Sequence, residues 1–312
     1  MVTLGQVDPD FAAMLDALSG FTVSADNVAD LQVATRAGPA LSTDRVERTD
    51  HVVDPDRGVV VRLHVPRGVE GPRPCVLSIH GGGYVMGSRD LDDAHLGRRA
   101  AELGWIGASV EYRLAPSTPY PGPLDDCFAA YTWVHERADA LGIDPALTGV
   151  AGTSAGGGLA AALTLLARER SVALPAFQLL EAPMIDDRCR TASSRLAGLP
   201  IWDRASNEFG WRSYLGDLHG RPDVPQFAAA ARAVDLEGLP PTFVNVGTID
   251  GFRDEAIEFA TRLNQSGVPT ELHVYAGAPH GFQLFADAAV SRRAAREVDA
   301  WLQRLAGEES AC

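Results

Sequence analysis

The residues best placed to do chemistry begin with a serine between glycines. Ser154 lies in Gly152-Thr153-Ser154-Ala155-Gly156, where an apolar run ends and a helix-forming run begins. This Gly-x-Ser-x-Gly pattern is typical of a sharp strand-to-helix turn that carries a nucleophilic serine above a sheet. The small neighbours would let a substrate carbonyl reach the hydroxyl. Because glycine and serine also cluster in ordinary turns, the motif needs partners elsewhere in the chain.

The first partner is a base, because a serine hydroxyl is a poor nucleophile until its proton is taken, most often by histidine. In serine hydrolases with this motif a carboxylate and then a histidine follow the serine along the chain. That order leaves His219, His273 and His280. His219 lies in a stretch without strand character, and we expect His273 on the solvated face of a strand. His280 follows that strand's carboxyl end, where open parallel sheets place catalytic groups, so we predict that it is the base.

The second partner is the carboxylate that orients the histidine. Asp250 comes directly after the apolar run 243–246, again at the carboxyl end of a predicted strand. Asp254 and Glu255 are near, but we expect them to cap the next helix, whose first N–H groups favour carboxylates. Glu181 ends the preceding strand and could reach the same histidine. We therefore predict Asp250 as the acid, with Glu181 as the alternative.

A glycine-rich loop could supply the N–H groups that stabilise a developing oxyanion. One donor should be Ala155, the residue after the serine. The others should come from His80-Gly81-Gly82-Gly83, which follows a short apolar run. Side chains there would block the approach of a carbonyl, although a plain glycine turn is the alternative interpretation.

The elements that must position these residues alternate along the chain. Apolar runs typical of strands alternate with helix-forming stretches, and this alternation predicts a mostly parallel central sheet with helices on both faces. The predicted strands are 59–65, 75–79, 105–110, the run into residue 152, 177–180, 242–246 and 271–275. The predicted helices are 91–103, 125–141, 159–170, 254–265 and 288–305, preceded by helices up to about residue 41.

Three stretches depart from this simple pattern. In 59–65, valine and leucine alternate with Arg62 and His64, which predicts a half-exposed strand near a sheet edge. Near the N-terminus the apolar residues recur at helical spacing: Phe11, Met14, Leu15 and Leu18. Between 186 and 225 the alternation stops, and aromatic residues lie among proline, glycine and charged residues. We predict that this segment is an insertion on a single domain, one that could act as a lid.

Composition excludes several function classes. The net charge of -14 argues against nucleic acid or an anionic membrane as partner. All 27 basic residues are arginine, which excludes a P-loop, a pyridoxal Schiff base and a Ser-Lys dyad. We find no metal-binding motif and expect neither a metal nor a cofactor. The adjacent pairs Asp92-Asp93, Asp125-Asp126 and Asp186-Asp187 cannot bracket a glycosidic bond, and we expect them at helix starts or in solvated loops.

The chain also lacks sequence signals for export. The first basic residue is Arg36, and no apolar stretch is long enough to span a bilayer. The four cysteines are scattered along the chain: Cys75, Cys127, Cys189 and Cys312. Three of them lie in or beside apolar segments, which favours reduced thiols over disulfides. We expect a soluble cytoplasmic protein.

With these residues in hand, the chain resembles the bacterial hormone-sensitive-lipase family of esterases, also called family IV. The motifs that carry the resemblance are His80-Gly81-Gly82-Gly83-Tyr84, Glu111-Tyr112-Arg113-Leu114-Ala115-Pro116, the stretch 152–157, Asp250-Gly251-Phe252-Arg253-Asp254-Glu255 and His280-Gly281-Phe282. Together they span the chain from about residue 59 to its end, and the combination is highly specific.

The resemblance implies an α/β-hydrolase fold, with a mostly parallel central sheet, helices on both faces and a helical cap. It implies that Ser154, Asp250 and His280 form a catalytic triad, with Gly82, Gly83 and Ala155 as oxyanion donors. Residues 46–185 and 226–312 would be the catalytic domain, and residues 1–45 and 186–225 the cap. The candidate substrate-binding residues are aromatic, and those of the insertion could equally form the core of the cap: Tyr84, Trp202, Phe209, Trp211, Tyr214 and Phe282.

The implied activity is hydrolysis of small, short-acyl carboxylic esters, and relatives often dimerise through the last strand and helix. Lactone, aryl-amide or carbamate hydrolysis by the same triad is the alternative. A ligand receptor is a third possibility, since the plant gibberellin receptors resemble these esterases but lost the histidine that His280 retains. The chain departs from the usual motifs where Thr153 replaces Asp, Gly251 replaces Pro and Glu181 replaces Tyr, so a special role for Glu181 stays open.

Overall fold

An eight-stranded sheet is the frame of the molecule in the computed structural model, which describes residues 7–11, 20–36 and 44–307. The strands are β1 (Val46–Asp54), β2 (Val59–Pro66), β3 (Arg73–Ile79), β4 (Ile106–Glu111), β5 (Ile143–Thr153), β6 (Gln178–Glu181), β7 (Thr242–Ile249) and β8 (Thr270–Pro279). They lie side by side in the order β1-β2-β4-β3-β5-β6-β7-β8. β2 is antiparallel to both of its neighbours, and all the other pairs are parallel. The predicted mostly parallel sheet is confirmed.

Helices cover both faces of this sheet, as predicted. They are α1 (Val28–Ala34), α2 (Asp93–Leu103), α3 (Gly122–Glu136), α4 (Ala138–Leu141), α5 (Ala155–Glu169), α6 (Arg204–Leu215), α7 (Arg253–Gln265) and α8 (Ala289–Leu305). Phe243 of β7 packs with Trp301 of α8 on one face, and Val150 of β5 belongs with Leu163 of α5 to the larger core on the other. Within the described residues, no helix is both long and apolar enough to cross a membrane.

The burial of β2 differs from the prediction. We expected a half-exposed strand near the sheet edge, and β2 does lie next to the edge strand β1, but both faces of β2 are largely buried. β1 was missed because its sequence, VERTDHVVD, has no apolar run, and most of its residues are half-buried or exposed. Arg62 and His64 are only 9% and 3% exposed. These two side chains are hydrogen-bonded in ion pairs rather than to solvent.

These ion pairs form a cluster between β1, β2 and the start of α2, in which Asp93 is buried and Asp50 is exposed to solvent. The Arg62 guanidinium donates to Asp50 at 2.7 Å and to Asp93 at 3.0 Å, and it also pairs with Asp90. His64 Nε2 lies 3.0 Å from Asp93 Oδ1. Buried charges are tolerated where they are paired and hydrogen-bonded, so this half of β2 can be polar and still lie inside the protein.

The paired aspartates are also more buried than expected. Asp93 begins α2 and Asp126 lies within α3, yet both side chains are inside the protein. Asp126 accepts two hydrogen bonds from the Arg113 guanidinium, at 2.8 and 2.7 Å. Asp186 is held by Arg188 at 2.6 Å. The Asp92-Asp93 pair therefore lies at a helix start, as predicted, but Asp126 and Asp186 are not solvated, because an arginine neutralises each of them.

The two segments predicted to form a cap are described unevenly. Of the proposed first helix, Met14, Leu15 and Leu18 lie outside the described residues, while Phe11 is fully buried in a short 3₁₀ turn. The chain between β6 and β7 forms α6 and short 3₁₀ turns and adds no strand. The Asp203 side chain caps α6 by accepting a hydrogen bond from the Ser206 N–H at 2.8 Å. That these segments act as a cap stays a prediction.

Candidate active site

Ser154 occupies the turn between β5 and α5 in a backbone conformation that residues with a side chain rarely adopt. Its φ of 57° and ψ of -121° lie outside the common regions, which costs about 1–3 kcal/mol. Hydrogen bonds hold the turn on both sides. The Ser154 N–H donates to the Glu181 carbonyl at 2.8 Å, and the Ser154 carbonyl accepts from the Met184 N–H at 2.9 Å. The strained turn is therefore fixed by the end of β6.

The glycines of the motif allow the close packing that this turn requires. A Cβ on Gly152 would lie 2.2 Å from the carbonyl oxygen of Gly156. A Cβ on Gly156 would lie 1.9 Å from the carbonyl oxygen of Ile79, at the end of β3. Both positions are thus closed to any larger residue unless the backbone moves. Glycine lets α5 begin directly against the sheet, which sets the height of the serine.

His280 connects the serine to a carboxylate. It follows β8, and its Nε2 lies 3.0 Å from Ser154 Oγ. Its Nδ1 lies 2.8 Å from Oδ2 of Asp250, which follows β7. The Phe252 N–H donates to the other Asp250 oxygen at 2.9 Å, and the Phe252 ring meets the imidazole edge-on at 5.1 Å. Ser154, Asp250 and His280 are 4%, 1% and 6% exposed, so the structure brings together the three residues predicted as the triad.

Glu181 has other partners. Thr153 Oγ1 donates to Glu181 Oε2 at 3.4 Å, and Asn245 Nδ2 donates to Glu181 Oε1 at 3.0 Å. The carboxylate hydrogen-bonded to the His280 imidazole is that of Asp250. Of the two candidate acids, the geometry thus favours Asp250.

Asp254 and Glu255 lie in the first turn of α7, as predicted, but neither acts as its cap. Asp254 accepts a hydrogen bond from the Ser193 N–H at 2.7 Å. Glu255 accepts hydrogen bonds from the N–H groups of Ile185 and Asp186, at 2.9 and 3.2 Å. Burial raises the pKa of Glu255 well above its usual value. Both side chains therefore tie the loop after β6 to the segment that carries Asp250.

The predicted oxyanion donors lie in backbone suited to the role. Gly82 and Gly83 have φ values of 119° and 61°, which other residues rarely adopt. Within residues 44–307, neither N–H of this pair donates to a backbone carbonyl. Ala155 is the first residue of α5, so its N–H has no acceptor within the helix. All three N–H groups are therefore available to a ligand.

His80 and Tyr112 hold the glycine loop, a role that the sequence did not reveal. The two rings stack at 4.2 Å with an interplanar angle of 14°. His80 Nδ1 lies 2.8 Å from the Gly81 carbonyl oxygen, and the Tyr112 hydroxyl donates to the His80 carbonyl at 2.9 Å. Burial lowers the pKa of His80, which favours the neutral ring. The only sequence signals were that His80 belongs to the motif 80–84 and Tyr112 to the motif 111–116.

The six candidate substrate-binding residues fall into two groups. Tyr84, Trp211 and Tyr214 are buried together in the main core, where the Tyr84 and Tyr214 rings stack at 4.0 Å. The Tyr84 hydroxyl donates to the Met184 carbonyl at 2.7 Å, so this side chain is already satisfied. Phe282 is fully buried in a smaller cluster that also contains Phe11. All four side chains are packed in the core, and a substrate-binding role for them stays a prediction.

Trp202 and Phe209 remain as candidate contacts. Trp202 is 5% exposed, and its indole covers Gly83: a Cβ on that glycine would lie 1.9 Å from Trp202 Cη2. Phe209 is only partly buried and lies on a different face of α6 from Trp211, as predicted. The structure therefore brings Trp202 to the oxyanion loop, and a substrate-binding role for Phe209 stays a prediction.

Comparisons with known proteins find α/β hydrolases and esterases. Residues 76–284 match a family model described as alpha/beta hydrolase fold. Carboxylesterase NlhH of Mycobacterium tuberculosis is 34% identical over 287 residues, covering 90% of each chain. Esterase LipI of the same organism is 38% identical over 216 residues, covering 68% of this chain and 67% of its own. The solved structure of bacterial heroin esterase is similar with a TM-score of 0.92 and 41% identity, covering 97% of this chain and 99% of its own.

Proposed function

The chain belongs to the bacterial hormone-sensitive-lipase family of α/β hydrolases and is a carboxylic-ester hydrolase, and we propose that it cleaves small, short-acyl esters through an acyl-enzyme on Ser154. The observation that carries the proposal is the continuous hydrogen-bonded chain from Asp250 through His280 to the Ser154 hydroxyl, at 2.8 and 3.0 Å. This chain connects an acid, a base and a nucleophile, which is the arrangement that serine catalysis requires.

The first half of the proposed reaction forms the acyl-enzyme. His280 Nε2 takes the proton from Ser154 as the hydroxyl oxygen attacks the ester carbonyl. The negative charge that develops on the carbonyl oxygen is accepted by the N–H groups of Gly82, Gly83 and Ala155. The imidazolium then gives its proton to the departing alcohol, and the serine ester remains. Asp250 keeps the imidazole in the required tautomer and stabilises its charged form.

The second half releases the acid. His280 takes a proton from a water molecule, which attacks the serine ester and forms a second tetrahedral intermediate at the same N–H groups. When the intermediate collapses, the imidazolium returns the proton to Ser154 Oγ and the carboxylic acid leaves. Each proton moves through His280 Nε2, the nitrogen that faces the serine. This route needs no metal or cofactor.

The preference for short acyl chains is supported by the covering of the glycine loop. The Trp202 indole packs directly against Gly83, so little space is left beside the proposed oxyanion donors. A relative named ethyl acetate hydrolase, from Pseudomonas putida, is 34% identical over 210 residues, covering 67% of this chain and 65% of its own. Its name gives a substrate with a two-carbon acyl group, and we propose acyl groups of similar size here.

A series of p-nitrophenyl esters with increasing acyl length tests this proposal. We expect kcat/KM to be highest for the shortest acyl chains and to fall steadily as the chain lengthens, because Trp202 limits the space. A Trp202→Ala variant should shift the preference toward longer chains. A wild-type preference for long acyl chains would contradict the substrate proposal, and turnover of lactones but not of linear esters would favour the alternative activity.

We also propose a homodimer formed through β8 and α8. β8 is an edge strand of the sheet, and Leu272 and Val274 are 36% and 40% exposed on it. Apolar side chains on an open strand edge favour pairing with a second chain. Sedimentation of the wild type and of Leu272→Glu should show a dimer and a monomer, and a monomeric wild type would contradict this.

A cytoplasmic location is part of the same proposal. It is supported by Cys75, Cys127 and Cys189, which carry free thiols. Reduced cysteines are usual in that compartment.

A further inference from the structure

A row of polar side chains crosses three strands beside the serine. Thr153 and Glu181 are the last residues of β5 and β6 and pair in register, and Asn245, in the middle of β7, pairs in register with Glu181. Paired positions of neighbouring strands point to the same face of a sheet, so the three side chains lie next to one another. Gln283 extends the row, since its Nε2 donates to Asn245 Oδ1 at 3.1 Å. We refer to Thr153, Glu181, Asn245 and Gln283 as the polar row.

The ends of the polar row are attached to the two segments that must meet for catalysis. Thr153 directly precedes Ser154 in the strained turn. Gln283 lies three residues after His280, in the short 3₁₀ turn Phe282–Leu284. The middle residue, Asn245, belongs to the strand that Asp250 follows. The polar row therefore joins the backbone around all three proposed catalytic residues, although it contacts none of their reacting atoms.

The hydrogen bonds of the polar row converge on Glu181. Both Glu181 oxygens accept, from Thr153 Oγ1 at 3.4 Å and from Asn245 Nδ2 at 3.0 Å. The Asn245 amide, which is fully buried, donates with its nitrogen and accepts with its oxygen. A buried hydrogen-bonded chain of this kind holds its members rigidly only if every link is made. Thr153 and Glu181 are two of the positions where this chain departs from the family motifs, so the polar row depends on residues particular to it.

We propose that the polar row positions the His280 loop against the Ser154 turn, with Glu181 acting through its hydrogen bonds and not as a second acid partner of the imidazole. This inference rests on the proposed function. Displacement of a catalytic group by about 1 Å can lower the rate roughly 100-fold. Because the polar row would fix the distance from His280 Nε2 to Ser154 Oγ, we expect it to affect kcat directly. Binding of the substrate, which these residues do not contact, should change little.

The proposal can be tested by breaking the hydrogen bond between Asn245 and Glu181 in a single variant and restoring a hydrogen bond there in a double variant. Asn245→Asp places a carboxylate against Glu181, and we expect kcat to fall roughly 10- to 100-fold with KM within about twofold of the wild type. Glu181→Gln can keep both hydrogen bonds, because its amide oxygen can accept from Asn245 and its amide nitrogen can donate to the Thr153 hydroxyl. We therefore expect kcat within about threefold of the wild type. In the double variant the amide nitrogen introduced by Glu181→Gln can donate to the new carboxylate, so most of the lost kcat should return.

Three outcomes would overturn the proposal. Asn245→Asp could retain wild-type kcat, the double variant could be as slow as Asn245→Asp, or Glu181→Gln could lose as much activity as Asp250→Asn. The last would make Glu181 an acid partner of His280. Where Asn245→Asp does not fold, Gln283→Met removes the outer hydrogen bond at a half-buried site, and unchanged kcat in that variant would also refute the proposal. If the wild type hydrolysed no ester at all, the proposed function would fail first, and the two failures are thus distinguishable.

Discussion

Two buried histidine–aspartate pairs with similar distances lie within the residues that the structure describes. In one, His280 Nδ1 lies 2.8 Å from Asp250, and in the other, His64 Nε2 lies 3.0 Å from Asp93. Both histidines are more than nine-tenths buried. A distance and a burial fraction therefore do not by themselves distinguish a catalytic pair from a structural one.

The surroundings of the two pairs make the distinction. Asp93 also binds Arg62 and Arg48. Burial acts to raise the pKa of Asp93, but its hydrogen bond with His64 and the nearby Arg62 guanidinium lower that pKa below its usual value. The second nitrogen of His64 has no partner within the described residues. His280 instead presents its second nitrogen to Ser154, and the Asp250 carboxylate is held by the imidazole and the Phe252 N–H. The imidazole nitrogen that faces the serine can therefore accept its proton.

Location separates the pairs as well. His64 lies opposite Gly107, near the start of β4, so its pair is at the amino ends of the parallel strands. Asp250 and His280 follow β7 and β8, at the carboxyl ends, where the loops of an open sheet form ligand sites. The two pairs therefore differ in what the second nitrogen of the histidine faces and in which edge of the sheet they occupy, and both differences favour the proposed catalytic role of the His280 pair.

Removing the carboxylate from each pair should give opposite results. We expect Asp250→Asn to lower kcat about 10⁴-fold, because the imidazole would adopt the wrong tautomer, with little change in stability. Asp93→Asn should leave kcat within a few-fold of the wild type but lower the free energy of unfolding by about 3 kcal/mol, because Arg62 and Arg48 lose a buried partner. Ester turnover and urea unfolding of both variants provide the measurement.

Two results would contradict this distinction between the pairs. A large loss of kcat in a fully folded Asp93→Asn variant would mean that the His64 pair contributes to catalysis. Full activity in Asp250→Asn would mean that another carboxylate orients His280, and Glu181→Gln would then be the variant to measure next.

A smaller effect on stability is expected at Asp92, next to the structural pair. Burial raises the pKa of Asp92, which adjoins Asp93, to about 7. Its pKa in the folded state is above that of the unfolded chain, so the stability it contributes is present at low pH and is lost as the pH rises toward 7. We expect Asp92→Asn to gain roughly 1–3 kcal/mol relative to the wild type between pH 5 and pH 8. Urea unfolding at both pH values measures this, and a difference that does not change with pH would contradict it.

The two pairs also differ in how far the sequence could predict them. Ser154, Asp250 and His280 were identified because each follows an apolar strand and each occurs in the expected order. The fold class followed from the same alternation of strands and helices. These signals are local, so they can be read from one segment at a time.

The structural pair could not be predicted in the same way. Arg62 and His64 alternate with valine and leucine, and that pattern is the same whether the polar face meets water or buried carboxylates. Whether this face of β2 meets water or carboxylates depends on Asp50 and Asp93, which β1 and α2 bring to β2. β1 itself has no apolar run, so the layer that buries this face was not visible. The role of Glu181 was hidden for a similar reason, since it depends on register between three strands.

Covalent labelling of the nucleophile tests the central claim most directly. A p-nitrophenyl alkylphosphonate should transfer one phosphonyl group to Ser154 Oγ with release of p-nitrophenol, and peptide mass mapping should find the adduct on the peptide that contains residues 152–157. Ser109→Ala, which removes the buried hydroxyl facing β2 near the structural pair, should react like the wild type. Ser154→Ala should neither react nor hydrolyse esters. An adduct on another residue, or a wild-type rate of ester hydrolysis in Ser154→Ala, would contradict the account.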